Sequence, residues 1–205
     1  MTRHQRSPGL IDRGDLLAAL DDAAARKVTI ISAPAGSGKT SLLRAWADRP
    51  GQLYRLAVVQ VQRDQPDAQY FWLALLDAVR LVRGAEAPAA TPDFDAAVMA
   101  DRVLAELADS GGDVMLVVED LHELNSPGAL GQLTRLLANL PAGVHALLTT
   151  RRDLPLRLHQ LRLAGELAEI RAAGLRFTEL ETRELLAASG IALPENSLTN
   201  RSGSG

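Results

Sequence analysis

The segment Ala33-Pro34-Ala35-Gly36-Ser37-Gly38-Lys39-Thr40 concentrates the residue types that grip phosphate. Gly36 and Gly38 admit backbone torsions that other residues avoid, so the amides of Ala35 to Lys39 can turn toward one anion. A helix starting here, at Lys39 to Ser41, adds the positive end of its dipole. Lys39 is then placed to reach the outer phosphates of a nucleotide, and the Thr40 hydroxyl to hold Mg²⁺. Ser37 and Ser41 complete the expected cradle. The phosphate-loop pattern opens with glycine, and here that position is Ala33. The turn around Gly36 and Gly38 is left intact.

Glu119 and Asp120 form a second chemical group. They follow Val114-Met115-Leu116-Val117-Val118, a continuous apolar run such as a parallel sheet buries on both faces. Parallel sheets hold their ligands at the carboxyl edge of the strands, which is where these acids emerge. One of the two acids is read as holding Mg²⁺, through its water shell or directly, and the other as orienting or deprotonating an attacking water. Thr149-Thr150-Arg151 ends the next apolar run and should emerge beside them. Arg151 is read as the sensor of the terminal phosphate, because a planar guanidinium bridges phosphate oxygens directionally. It is preferred to Arg152 because it lies closer to the strand end.

These groups meet only if strands and helices alternate. Val28-Thr29-Ile30-Ile31 reads as the strand before the cradle, with the cradle helix running on through Trp46. Strands are expected at 54–61, 114–118, 145–150 and 167–171, and helices at 67–82, 94–108 and 127–140. Ser126 is the expected cap of the last of these helices, with Pro127 at its first position. Gly84 to Pro92 reads as an Ala/Pro-rich linker, and Ser110-Gly111-Gly112 as a helix stop. The alternation predicts an α/β fold with a parallel sheet and right-handed crossovers. Thr178-Glu179-Leu180-Glu181 resembles a capping box, so a further helix is expected to open there and run to Ala188. Residues 1–177 are therefore read as one nucleotide-binding domain, and 178–205 as the start of a helical lid and a polar tail. The ending Ser202-Gly203-Ser204-Gly205 suggests a fragment.

Composition narrows the class. The chain has 205 residues, 47% of them hydrophobic, enough for one substantial core. It has no cysteine, and its four histidines show no ligand spacing, so metal is expected only with a nucleotide. No apolar run approaches the roughly 18 residues that span a bilayer, and no secretory pattern opens the chain. A cytoplasmic protein without membrane contact is the default reading. The net charge is −3 and its only lysines are Lys27 and Lys39, which does not favour direct DNA binding by this segment.

Other residues invite chemistry and are given structural readings instead. Tyr70, Phe71 and Trp72 are expected to pack in the core rather than to stack on a base. His122 follows the acidic pair, yet that pair already supplies the water-orienting group. Arg157, Arg162, Arg171 and Arg176 are expected mostly in solvent or paired with Glu166 and Glu169.

The cradle Ala33 to Thr40, the segment Asp67 to Trp72, the stretch Glu119-Asp120-Leu121-His122 and the run Thr149 to Phe177 together resemble STAND-class P-loop ATPases. Within them, Thr150-Arg151-Arg152-Asp153-Leu154-Pro155-Leu156, Leu161-Arg162 and Leu175-Arg176-Phe177-Thr178 are similar to the MalT-like branch found in large LuxR-type transcriptional regulators. The resemblance covers roughly residues 10 to 200. It implies a three-layer P-loop NTPase fold of the additional-strand (ASCE) type, sheet order 5-1-4-3-2, with Walker A and Walker B motifs. It implies ATP and ADP as ligands with Mg²⁺, a resting ADP state, and a self-associating ATP state that displays a DNA-binding module lying outside this chain. It also carries Arg13, in Ile11-Asp12-Arg13, over as a contact near the adenine, where a solvated charge before a helix is the other reading. The family usually has Asp where this chain has Glu119, and the longer side chain is expected to weaken metal binding or slow hydrolysis. Two other functions share the cradle: a P-loop kinase acting on a small molecule, and a nucleotide-binding scaffold that does not hydrolyse. The adjacent acids favour water activation over transfer.

Overall fold

The computed structural model describes residues 14–63, 68–84 and 95–175, except the side chains of 96 and 97. In chain order the elements are α1 (Gly14–Ala24), β1 (Val28–Ser32), α2 (Lys39–Ala47), β2 (Arg55–Gln60), α3 (Ala68–Arg83), α4 (Ala96–Ala108), β3 (Val114–Glu119), α5 (Pro127–Ala138), β4 (Val144–Thr150), α6 (His159–Leu163) and β5 (Leu167–Arg171). Two 3₁₀ turns, Leu121–Glu123 and Ala172–Leu175, follow β3 and β5.

The five strands form one sheet in the order β2-β3-β4-β1-β5, and every neighbouring pair is parallel. Read from the opposite edge this is 5-1-4-3-2, the order the resemblance implies. Strand β4 lies between β1 and β3, so the cradle strand and the acid strand are separated by the strand that ends in Thr149-Thr150. This is the α/β P-loop NTPase fold.

Alternation along each strand divides the core into two layers. Ile31, Met115, Val117 and Leu147 face α1 and α2, where Leu20, Leu42, Leu43 and Trp46 cover them. Ala57, Val59, Leu116, Val118 and Leu148 face α3, α4 and α5, packed under Trp72, Leu75, Val103 and Leu133. Strand β3 is apolar and buried on both faces up to Val118, while the edge strand β2 leaves Val58 51% exposed. Deleting a buried leucine from either layer costs about 2–5 kcal/mol, so the cradle rests on a rigid floor.

Local signals fix the element ends that matter for the site. Ser126 caps α5, its hydroxyl accepting from the Ala129 amide at 3.3 Å, with Pro127 at the first helical position. The helix ends at Ala138, two residues short of the expected end. Strand β3 runs one residue further than its apolar run, because Glu119 still pairs with Gln60 on β2. Short helix α6 was not read from the sequence; its five residues carry too little periodicity. Phe71 and Trp72 are buried as expected, but Tyr70 is 55% exposed and is no core residue. It occupies the solvent side of α3, and only its two neighbours face the sheet. The expected helix from Thr178, the boundary at 177, the tail, Arg13, Arg176 and most of the Gly84 to Pro92 linker lie outside the described residues.

Among the described residues no helix is long and apolar enough to cross a membrane.

Candidate functional site

The cradle forms where β1 hands over to α2. Gly36 and Gly38 have φ of 76° and 83°, a left-handed conformation that a side chain would strain. Gly38 is also the residue before the first turn of α2 and has no side chain to cap it. The first bond from α2 back into the loop runs from the Leu42 amide to the Gly38 carbonyl at 2.9 Å. The amides of Lys39, Thr40 and Ser41 therefore precede any intrahelical partner, the ordinary state of a helix start. Ala35 and Gly36 stand exposed at the loop tip, and Thr40 and Ser41 are exposed on the first turn.

Lys39, by contrast, is buried, only 8% accessible. Its ammonium folds back and donates to the carbonyls of Ala33 and Pro34 (2.8 Å to the latter) and to the Ser37 hydroxyl at 3.3 Å. Loop oxygens thus stand where an anionic ligand's oxygens would compete for the same protons. Burial pushes the Lys39 amine below its ordinary value, the Arg151 guanidinium pushes it further down, and Asp120 pulls it partly back. All three groups therefore share one electrostatic neighbourhood.

The acids sit at the end of β3. Burial raises the Glu119 carboxyl, adjacent Asp120 raises it further, and Arg44 on α2 opposes them. A carboxylate held in this way is short of positive charge, which suits a cation ligand. Asp120 has φ of 54°, the only positive value at a non-glycine among the described residues. Such strain persists only where the surroundings enforce it. Here the Asp120 amide donates to the Thr149 hydroxyl across the sheet at 3.1 Å, and its carboxylate accepts from Gln60 Nε2 at 3.2 Å. Arg151 Nε approaches the same carboxylate at 3.7 Å. Arg152 turns away, donating to the His122 carbonyl at 3.0 Å and to Asn125 at 2.9 Å. The two adjacent arginines therefore divide their work, one facing the acids and one pinning the turn behind them.

The structure brings Lys39, Glu119, Asp120 and Arg151 to one edge, beside the loop from Ala35 to Ser41. Arg13 lies outside the described residues. Gln60, Thr149 and Arg44 are the neighbours that residue types alone did not assign. Gln60 and Thr149 become visible only once β2 and β4 flank β3, a fact of strand order rather than of local pattern. Of the other arginines, Arg162 pairs with Glu169 at 2.8 Å and Arg171 with Asp153 at 3.2 Å, whereas Glu166 pairs with Lys27 at 3.7 Å.

Comparison with known proteins agrees with this fold. The model of the AAA domain family matches residues 22–158, which includes the cradle, both acids and Arg151. The serine/threonine-protein kinase PknK of Mycobacterium tuberculosis is 27% identical over 195 residues, covering 90% of this chain and 17% of the relative. The HTH-type transcriptional regulator MalT of Klebsiella pneumoniae is 27% identical over 188 residues, covering 90% of this chain and 21% of the regulator. The chain therefore spans about a fifth of the length of these relatives. Among solved structures, Cdc6p of Pyrobaculum aerophilum aligns with a TM-score of 0.59 at 15% identity, over 89% of this chain and 51% of that one. The Orc1 protein of Aeropyrum pernix, solved in complex with DNA, gives 0.57 at 18% identity, over 90% and 50%. At such identities these structures speak for the fold alone. With the family model matching more than half of its length, the chain belongs to the AAA domain family and has its P-loop ATPase fold.

Proposed function

We propose that this chain is an ATP-binding, slowly hydrolysing switch domain of the STAND class, working within a signal-responsive transcriptional regulator of the MalT-like, LuxR type. The observation that carries the reading is the electrostatic convergence of Lys39, Arg151 and Asp120 beside a left-handed glycine loop. A loop built only to turn the chain has no use for a buried ammonium placed in the electrostatic field of an arginine and an acid that follow two other strands.

In this reading the amides from Ala35 to Lys39 and the Lys39 ammonium hold the phosphates, with Ser37 and Ser41 at the rim. Thr40 and Glu119 are the Mg²⁺ ligands; the ion, when bound, neutralises charge on the phosphate oxygens. Asp120 orients the attacking water and receives its proton. Arg151 leaves Asp120 for the terminal phosphate when one is present, so its position reports ATP against ADP. Arg13 contacts the base. Glu119 in place of the shorter acid keeps turnover slow, which suits a timer. ATP and ADP then bind two states unequally, as any ligand-driven switch requires. In the longer protein the ATP state self-associates, and DNA is contacted by a module outside this segment.

Denaturing the purified chain and identifying the released nucleotide tests the reading, with Lys39→Ala as the control. Copurified ADP in the wild type and none in the variant is the expected result. Thermal shifts with ATP and with ADP then measure differential stabilisation, since ligand at 100 times its Kd adds about 2.7 kcal/mol. Equal shifts would sink the switch, and no shift with either nucleotide would sink the site. Acceptor-dependent ADP release far above the water rate would favour a small-molecule kinase, and binding without turnover a scaffold.

A further inference from the structure

His122 stands two residues after Asp120, in the 3₁₀ turn Leu121–Glu123, with its side chain 10% exposed. Its Nδ1 is one of three buried side-chain polar atoms without a hydrogen-bond partner among the described residues. The others, Trp72 Nε1 and Gln132 Oε1, belong to helices α3 and α5 rather than to the acid turn. His122 Nδ1 instead faces Asp120 Oδ1 at 3.9 Å, within ion-pair range and beyond hydrogen-bond length. On the other side of the ring, Nε2 lies 3.3 Å from Glu123 Oε1, a carboxylate that Arg63 also holds at 3.1 Å.

The turn that carries the ring is well fixed. The Glu123 amide donates to the Asp120 carbonyl at 2.9 Å, and Arg152, just past β4, grips the His122 carbonyl. The Asp120 backbone is held left-handed by Thr149. Only the carboxylate itself is incompletely held. Gln60 donates to Oδ2, while Oδ1 faces Arg151 at 3.7 Å and His122 at 3.9 Å with no hydrogen bond to either.

We infer that His122 is the positioning residue for Asp120: in the nucleotide-bound site its Nδ1–H donates to Asp120 Oδ1 and sets the direction of the carboxylate toward the attacking water. The inference rests on the proposed role of Asp120. When Arg151 turns to a terminal phosphate it leaves Oδ1, and His122 is then the donor remaining beside that oxygen. Closing the gap takes about 1 Å, the kind of tightening that catalytic hydrogen bonds show between free and bound enzyme. Of the two forms that carry an Nδ1–H, the imidazolium also donates from Nε2 to Glu123, whereas the neutral Nδ1–H tautomer turns a bare Nε2 toward that carboxylate at 3.3 Å. Burial, Arg151 and Arg152 oppose the charged ring, while Glu123 and Asp120 favour it.

The test separates the two ring nitrogens. An Asn side chain places its amide near the position of Nδ1, and a Gln side chain near that of Nε2. Single-turnover ATP hydrolysis, nucleotide Kd by calorimetry and thermal midpoints are measured on the 205-residue chain for the wild type, His122→Ala, His122→Asn and His122→Gln. The expected result is a kcat lowered tenfold or more in His122→Ala with nucleotide Kd within about threefold. His122→Asn should return most of the rate and His122→Gln should not. In ¹⁵N spectra, His122 Nδ1 should move toward a donor-type shift when ADP and aluminium fluoride are added. An unchanged rate in His122→Ala, rescue by Gln as good as by Asn, or an unmoved Nδ1 resonance overturns the inference. A wild type that binds ATP without measurable turnover overturns it as well. A wild type that binds no nucleotide instead refutes the proposed function, so the two failures are distinguishable.

Discussion

At the amino edge of the sheet, Asp21 at the end of α1 accepts from Trp46 Nε1 at 2.8 Å and from both terminal nitrogens of Arg49. Nearby, the Tyr54 hydroxyl donates to the Ala24 carbonyl, His145 Nδ1 meets the Arg26 carbonyl at 2.8 Å, and Arg26 itself donates to the Gly165 carbonyl at 2.8 Å. At the carboxyl edge, an ammonium rests on loop carbonyls, an aspartate holds a left-handed backbone, a glutamate is raised by burial, and an imidazole nitrogen has no partner. The same sheet thus has one end whose polar groups satisfy one another and one end where a strained aspartate, a glutamate raised by burial and an unpartnered imidazole nitrogen lie together, while the ammonium is satisfied only by the loop's own oxygens. Satisfied networks contribute stability, whereas strain and unmet hydrogen-bonding capacity persist where a ligand completes them.

Substitutions at the two ends should therefore move different observables. The largest effect is expected for Asp120→Asn, which keeps shape and tolerates the left-handed backbone but removes the proton acceptor. Hydrolysis should fall at least about 100-fold, with nucleotide Kd within about threefold and the thermal midpoint nearly unchanged. Single-turnover assays, calorimetry and melting curves check the three readings. A large drop in thermal midpoint would place Asp120 in the stabilising class and erase the contrast.

Asp21→Ala is the matching substitution at the other end. It strands the Trp46 indole N–H on a ring that is 1% exposed, along with the Arg49 guanidinium. Leaving a buried donor unpaired costs about 1–3 kcal/mol, so chemical denaturation should show a loss of that size. Nucleotide affinity at temperatures where the variant remains folded should match the wild type. Weakened binding without lost stability would show that the two ends are coupled more tightly than their separate networks suggest.

The sequence foretold these ends unequally, for a physical reason. Strands β1 to β4 were legible because each holds a short apolar run, β5 (Leu167-Ala168-Glu169-Ile170-Arg171) only from the alternation of elements, and Val114 to Val118 announced an interior place by having no polar face. The phosphate loop was legible because its demands are local: two glycines, a lysine and a helix start within eight residues. Asp120's backbone was not, since an aspartate with φ of 54° is imposed by Thr149 on β4 and not by its own propensity. Gln60 was invisible for the same reason, because β2 and β3 are 53 residues apart between Gln60 and Val114 plus a register that no local pattern encodes. Tyr70 was misread because adjacent aromatics on a helix cannot all face the core.

The strain itself can be probed with Asp120→Gly. Glycine removes the left-handed penalty of roughly 1–2 kcal/mol but gives back about 0.5–1 kcal/mol as chain freedom in the unfolded state. It also gives up the partly exposed Gln60 contact, which contributes little. Stability should therefore stay within about 1 kcal/mol of the wild type while hydrolysis disappears. A loss well beyond that would mean that the Asp120 side chain supports the fold after all.

The smallest effect is a pH dependence at the amino edge. The Arg49 hydrogen bonds hold the Asp21 carboxyl below the ordinary carboxylate range; burial opposes them, and the Trp46 N–H adds to them. With the folded pKa depressed, the unfolded chain binds the proton first as pH falls. Asp21's contribution is therefore complete above the unfolded value and is lost as pH drops through the folded one. Asp21→Asn keeps an oxygen for the Trp46 N–H and removes the titration. It should lie close to the wild type near neutral pH, slightly less stable for the weaker Arg49 contact. In acid below the usual carboxylate range the two should converge, because the wild type has by then lost the charge that the variant never had. Denaturation midpoints of both proteins, measured from neutral pH down to the lowest pH at which both still fold, check the sign. A gap that widens on acidification would reverse it, and would mean that Asp21 is held by burial rather than by its guanidinium partner.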